Sequence, residues 1–77
     1  MDKKEAISQV VKGIEARWKS NVVARSQVGE ITGGALSPKS LANMDSKGEG
    51  PDGRFLMGRQ TVYPLPSFLT WLGGMCK

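Results

Sequence analysis

The apolar positions fall into runs whose spacing changes along the chain. Between Lys3 and Lys19, Ile7, Val10, Val11, Ile14 and Trp18 follow at steps of three or four, which is one face of a 3.6-residue period. Lys3, Lys4, Glu5, Lys12, Glu15 and Lys19 occupy the remaining faces. The spacing predicts an amphipathic helix over residues 3–19, weakened by Gly13, which costs about 1 kcal/mol relative to alanine. Asn21-Val22-Val23-Ala24 reads as a short extended segment. Val28 and Ile31 then lie three apart, as on one stripe of a two-turn helix that Thr32-Gly33-Gly34 stops.

The strongest local signal begins at Ser37. Serine is a natural N-cap, and Pro38 falls at the first helical position, where its missing N–H costs nothing. Leu36 before the cap and Leu41 beyond it have the spacing of a hydrophobic staple, and Met44 continues the stripe. A helix over residues 35–48 is predicted, with Lys39, Ser40, Asn43 and Lys47 facing away from the stripe. After the turn cluster Glu49-Gly50-Pro51-Asp52-Gly53, two β-prone runs flank Gly58-Arg59, the signature of a type II′ hairpin. Closing it as a two-residue loop pairs Met57 with Gln60, Leu56 with Thr61 and Phe55 with Val62. That puts Phe55 and Val62 together on the expected core face and leaves Arg59 at the tip. Pro64 ends the strand. Pro66 starts a last helix carrying Phe68, Leu69, Trp71 and Leu72, with Gly73-Gly74 as its terminator.

Length sets how these pieces must be used. A 77-residue chain holds one small domain, in which burial and conformational entropy nearly cancel, so the large side chains are expected inside. No histidine is present, and Cys76 is the sole cysteine. Zinc ligation by Cys and His, an intrachain disulfide, and Ser-His-Asp or Cys-His catalysis therefore lack their parts. Gly33-Gly34-Ala35-Leu36-Ser37-Pro38-Lys39-Ser40 misses the P-loop pattern because Pro38 stands where a glycine must donate its N–H. Asp45, Glu49 and Asp52 lie at a helix end and a turn, where aspartate has local uses other than metal binding. No catalytic residue, cofactor or metal is expected. No apolar run reaches the length of a membrane span and no signal peptide is visible, so a cytoplasmic protein without a membrane partner is expected.

Lys and Arg number 11 against 7 Asp and Glu, a net charge of +4. A basic balance permits a nucleic-acid partner. Two short helices joined by a tight turn, then a hairpin and a closing helix, make the layout of a winged helix-turn-helix, an α+β fold that is mainly α with a small hairpin. The run from Val22 to Leu72 resembles the MerR-like winged helix-turn-helix of small phage-type excisionases and related element-encoded regulators. The resemblance is carried by Arg25-Ser26-Gln27-Val28, by Leu36-Ser37-Pro38-Lys39-Ser40-Leu41, by Gly58-Arg59-Gln60-Thr61-Val62-Tyr63-Pro64, and by Ser67-Phe68-Leu69-Thr70-Trp71-Leu72. It covers about two thirds of the chain and leaves out the N-terminal helix, so the chain divides into an N-terminal amphipathic helix over residues 1–20, a DNA-binding domain over 21–74 and a tail over 75–77.

The resemblance also implies a role for each matching residue. In such modules the second helix enters the major groove. Ser37, Lys39, Ser40 and Asn43 would face base edges, with Lys47 on the same helix. Asn43 suits adenine and Lys39 a guanine or a phosphate. Arg59, with Arg54 and Thr61 on the hairpin, would meet the minor groove or the phosphates, and Arg25, Ser26 or Gln27 the backbone.

Two functions are weighed on these residues. One is sequence-specific double-stranded DNA binding of the excisionase type, alongside a recombinase or further copies of the chain, or else as a transcriptional regulator of a mobile element. The other is a winged-helix protein-interaction module, for which Lys39, Asn43 and Lys47 would be a solvated face. No small-molecule ligand is expected in either. Few phosphate contacts per copy imply weak, salt-sensitive binding. The stripe on the first helix must be covered, either by folding back on its own domain or by a second copy, and the chain's small size favours the first.

Overall fold

The computed structural model describes residues 2–77. Among them lie four α-helices and a three-stranded antiparallel sheet, arranged as an α+β domain. The order is α1 (Lys3–Arg17), β1 (Val22–Ala24), a 3-10 turn (Arg25–Gln27), α2 (Val28–Ile31), α3 (Pro38–Ser46), β2 (Phe55–Met57), β3 (Gln60–Pro64) and α4 (Leu65–Met75). No helix among the described residues is long and apolar enough to cross a membrane.

Local chemistry explains the boundaries. Asp2 caps α1 by accepting the Glu5 N–H at 2.8 Å. Ser37 caps α3 by accepting the Ser40 N–H at 3.1 Å, with Pro38 behind it as predicted. Between α2 and α3 the chain reverses through Gly33 and Gly34, whose φ angles of 66° and 86° suit only glycine. Thr32 braces this turn: its hydroxyl donates to the Val28 carbonyl and accepts from the Leu36 N–H. The hairpin closes in the predicted register, Phe55 opposite Val62, Leu56 opposite Thr61 and Met57 opposite Gln60. In its two-residue loop only Gly58 has positive φ, as a type II′ turn requires.

The sheet is larger than the predicted hairpin. β1, expected only as an extended segment, pairs with β3, so the strand order is β1-β3-β2. β3 is therefore central, and Val62 and Tyr63, on its opposite faces, are both buried. Phe55 was expected in the core beside Val62. It is instead 45% exposed, because β2 is an edge strand beyond the reach of the helices.

The core joins Val23, Val28, Ile31, Leu41, Tyr63, Phe68, Leu69 and Leu72. Phe68 sits between Tyr63 and Trp71, with tilted rings 6.3 and 5.5 Å apart. The Trp71 indole N–H donates to the Glu49 carbonyl at 2.7 Å, which ties the loop before β2 to α4. Gly73-Gly74, expected to end the last helix, lies inside α4, which runs on to Met75. Gly73 is where α1 crosses: a Cβ there would stand 3.7 Å from Val11. Met75, expected to open a tail, packs on the core.

α1 is part of the domain. Val11, Ile14 and Trp18 pack against the core, and the Trp18 indole N–H donates to the Val22 carbonyl at 3.0 Å. Trp18 is half-buried, and Val10 on the same helix stays exposed.

Candidate functional site

The outward side of α3 follows from its period. Leu41 and Asp45, four residues apart, point into the protein. Lys39, Asn43 and Lys47, also four apart, fall on the other side and are exposed. Lys47 closes the helix, its N–H donating to the Asn43 and Met44 carbonyls. Ser37 and Ser40 are engaged at the cap, where the Ser37 hydroxyl donates to that of Ser40 at 3.0 Å.

Asp45 is the one acidic residue of α3, and it is buried, at 6% exposure. Arg25 Nη2 donates to its Oδ2 at 2.7 Å, and the Tyr63 hydroxyl donates to the same oxygen. Arg25 Nε donates to the Tyr63 hydroxyl at 3.1 Å, which closes a three-membered ring of hydrogen bonds. This network fastens the turn before α2, the C-terminal half of α3 and the central strand to one another. Oδ1 has no hydrogen-bond partner among the described residues; Arg54 approaches it at 3.9 Å. That approach makes the root of the β2–β3 hairpin a neighbour of the last turn of α3.

Only one part of this network leaves a signal in the sequence. Asp45 stands four residues after Leu41, on the buried stripe, and a carboxylate there requires a cationic partner. Arg25, expected on the DNA backbone, turns its guanidinium inward to serve as that partner. Gln27 is also occupied locally: its Oε1 accepts the Ala24 N–H at 3.1 Å. Ser26 is exposed, as are Arg54 and Arg59, and Thr61 is half-buried on β3 opposite Leu56. The outer side of α3 thus presents two lysines and an amide, and the hairpin presents two arginines.

Burial raises the Tyr63 pKa above its ordinary 10.0. The hydrogen bond to Asp45 adds to the rise and Arg25 opposes it. Arg25 is raised as well, chiefly by its bond to the Tyr63 hydroxyl and then by Asp45. The folded pKa of Tyr63 exceeds the unfolded one, so its contribution to stability is present below about pH 10 and is lost as pH rises through the folded value. Tyr63 is the only tyrosine. We expect tyrosinate absorbance to appear above the ordinary value and together with alkaline unfolding; ionisation at the ordinary value with the fold intact would contradict this placement.

Fold and surface together define a small α+β domain in which a partly buried ion pair ties the turn before α2 and the end of α3 to the central strand. No family model matches the chain, and neither a characterised protein nor a solved structure proves similar to it.

Proposed function

We propose that the protein is a winged helix-turn-helix that binds double-stranded DNA sequence-specifically, with α3 in the major groove and the β2–β3 hairpin as the wing. The order helix, strand, helix, turn, helix, hairpin supports this reading, with α1 as the first helix of the domain. The observation that carries it is electrostatic. The only carboxylate of α3 is withdrawn into the protein and neutralised by Arg25, so the outward side shows Lys39, Asn43 and Lys47 free of acid. A polyanion meets no like charge there.

Asn43 suits bidentate recognition of adenine, and Lys39 a guanine or phosphate. Arg59 at the wing tip meets the adjacent backbone or minor groove. Arg25, expected on the DNA backbone, also positions α3 through its bonds to Asp45 and Tyr63. Excisionase-like assistance to a recombinase, and promoter control, are both uses of such a module.

Two results test the reading on duplexes that the full chain enriches from a random-sequence pool. The Lys39→Ala, Asn43→Ala double variant should fold normally and lose about 1–3 kcal/mol of discrimination between right and wrong sites. Equal affinity for the enriched site would displace α3 from the groove. Arg59→Ala should weaken binding to all sequences alike and reduce the salt slope by about one unit, as loss of a phosphate contact does. An unchanged slope would leave Arg59 an ordinary surface charge.

A further inference from the structure

Strand β2 is an edge that the fold leaves open. It is bonded only to β3, and Phe55, Leu56 and Met57 are 45%, 68% and 52% exposed. Proteins usually protect such an edge with charge, proline or a covering segment. The register fixes which backbone groups are free. Met57 and Gln60 close the two-residue loop and exchange hydrogen bonds, as Phe55 and Val62 do two residues further along. Leu56 between them turns its N–H and C=O away from β3, and Arg54 continues the alternation. Neither residue has a backbone partner elsewhere among the described residues.

The side chains along this edge select what can pair with it. The hairpin from Arg54 to Tyr63 contains two arginines and no acidic residue. Arg54 and Leu56 lie on one face of β2, and Phe55 and Met57 on the other. Arg54 stands at one end of the strand and the Gly58-Arg59 tip at the other, about 13 Å away along extended chain. DNA matches this edge poorly, because the free backbone groups alternate donor and acceptor whereas phosphate oxygens only accept. A second copy matches poorly too. Antiparallel pairing centred on Leu56 would set Arg54 of each chain beside the Arg59 tip of the other, like charge against like, with no acid in the hairpin to offset it.

We propose that β2 takes up an extended acidic segment of a partner protein as a fourth strand of the sheet. The segment has the order acid, apolar, apolar, apolar, acid. Its central residue exchanges two main-chain hydrogen bonds with Leu56 and packs on that side chain. Its two apolar neighbours lie against Phe55 and Met57. The carboxylates, two residues to either side of the centre, meet Arg54 and Arg59. In such strand addition the main-chain bonds give affinity and the alternating side chains give specificity. The inference stands apart from the DNA-binding reading. The two share Arg54 and Arg59, so the partner segment and DNA exclude one another at the hairpin.

The test adds fluorescein-labelled Gly-Glu-Val-Phe-Val-Glu-Gly to the full chain and follows anisotropy together with hydrogen exchange of the Leu56 amide. The peptide should bind and slow that exchange. A peptide with lysine for both glutamates, and one N-methylated at its central phenylalanine, should each bind about tenfold more weakly, the first through charge and the second through a lost main-chain hydrogen bond. Leu56→Lys and Arg59→Glu should melt like the wild type, since both positions are exposed, and should weaken binding of the glutamate peptide by a similar factor. Arg59→Glu should also shift preference toward the lysine peptide. Absence of binding at about 1 mM peptide, or equal affinity for the glutamate and lysine peptides, overturns the proposal. So does binding that leaves Leu56 exchange unchanged, for the arginines would then capture charge without pairing a strand. Protection of Leu56 that grows with protein concentration before peptide is added would assign the edge to a second copy, and protection by an unrelated duplex but not by the peptide would assign it to nucleic acid; either overturns it. A chain that enriches no duplex leaves strand addition standing, and failure of strand addition leaves DNA binding standing.

Discussion

Asp45→Ala should largely unfold the protein at ordinary temperature. The carboxylate holds Arg25 and the Tyr63 hydroxyl inside the domain, and alanine leaves both without their acceptor. Breaking a buried pair from one side costs about 3–5 kcal/mol. The lower end applies here, because the Arg25 side chain is 28% exposed and regains water once released. A core of this size supplies only about 3–5 kcal/mol in all, so even the lower figure consumes most of the stability. Arg25→Met in the Asp45→Ala background should recover part of it, since an apolar pair in place of the ion pair leaves no orphaned charge.

Gly50→Ala should act through the same carboxylate. A Cβ at Gly50 would collide with Asp45 Oδ1, so the loop or the ion pair must shift. Urea unfolding followed by circular dichroism measures all three. An Asp45→Ala midpoint close to that of the wild type would mean that the network does not hold α3 in place.

Removing residues 1–19 should lower the melting temperature by about 10–20 °C. The deletion uncovers the face of α4 around Gly73 and takes away Val11, Ile14 and Trp18, which pack on the core. It also removes the indole N–H that holds the Val22 carbonyl at the start of β1. Partial burial of these side chains is worth about 1 kcal/mol each. In a domain of this size each kcal/mol moves the midpoint by about 4–8 °C. A truncated chain that melts with the full one would make α1 an appendage whose stripe is covered elsewhere.

Much of this architecture is written locally. Ser37-Pro38 starts α3, Gly33-Gly34 turns the chain before it, and Gly58 sets the hairpin register, because each needs only its neighbours. The errors lie where a distant segment decides. Phe55 and Val62 face the same way, and nothing nearby says which of them is covered; β1 settles it by pairing with β3 and making β3 central. Tyr63, on the face of β3 opposite Val62, is fully buried as its size demands, because α4 and Asp45 close over it. Gly73-Gly74 reads as a stop, but the close crossing of α1 keeps it within a helix.

The candidate surface follows the same division. Lys39, Asn43 and Lys47 were legible from helical spacing alone, and the exposure of Arg59 from the turn. The inward role of Arg25 was not, for its partners lie 20 and 38 residues away along the chain.

Sequence-specific DNA binding is tested most directly by selection of duplexes from a random-sequence pool by the full chain, followed by competitor titration of the enriched duplex. The account predicts one enriched motif, bound at least about a thousandfold more tightly than unrelated duplex and released as salt rises. A pool that stays random after selection, or an enriched duplex displaced equally well by any other, would contradict it.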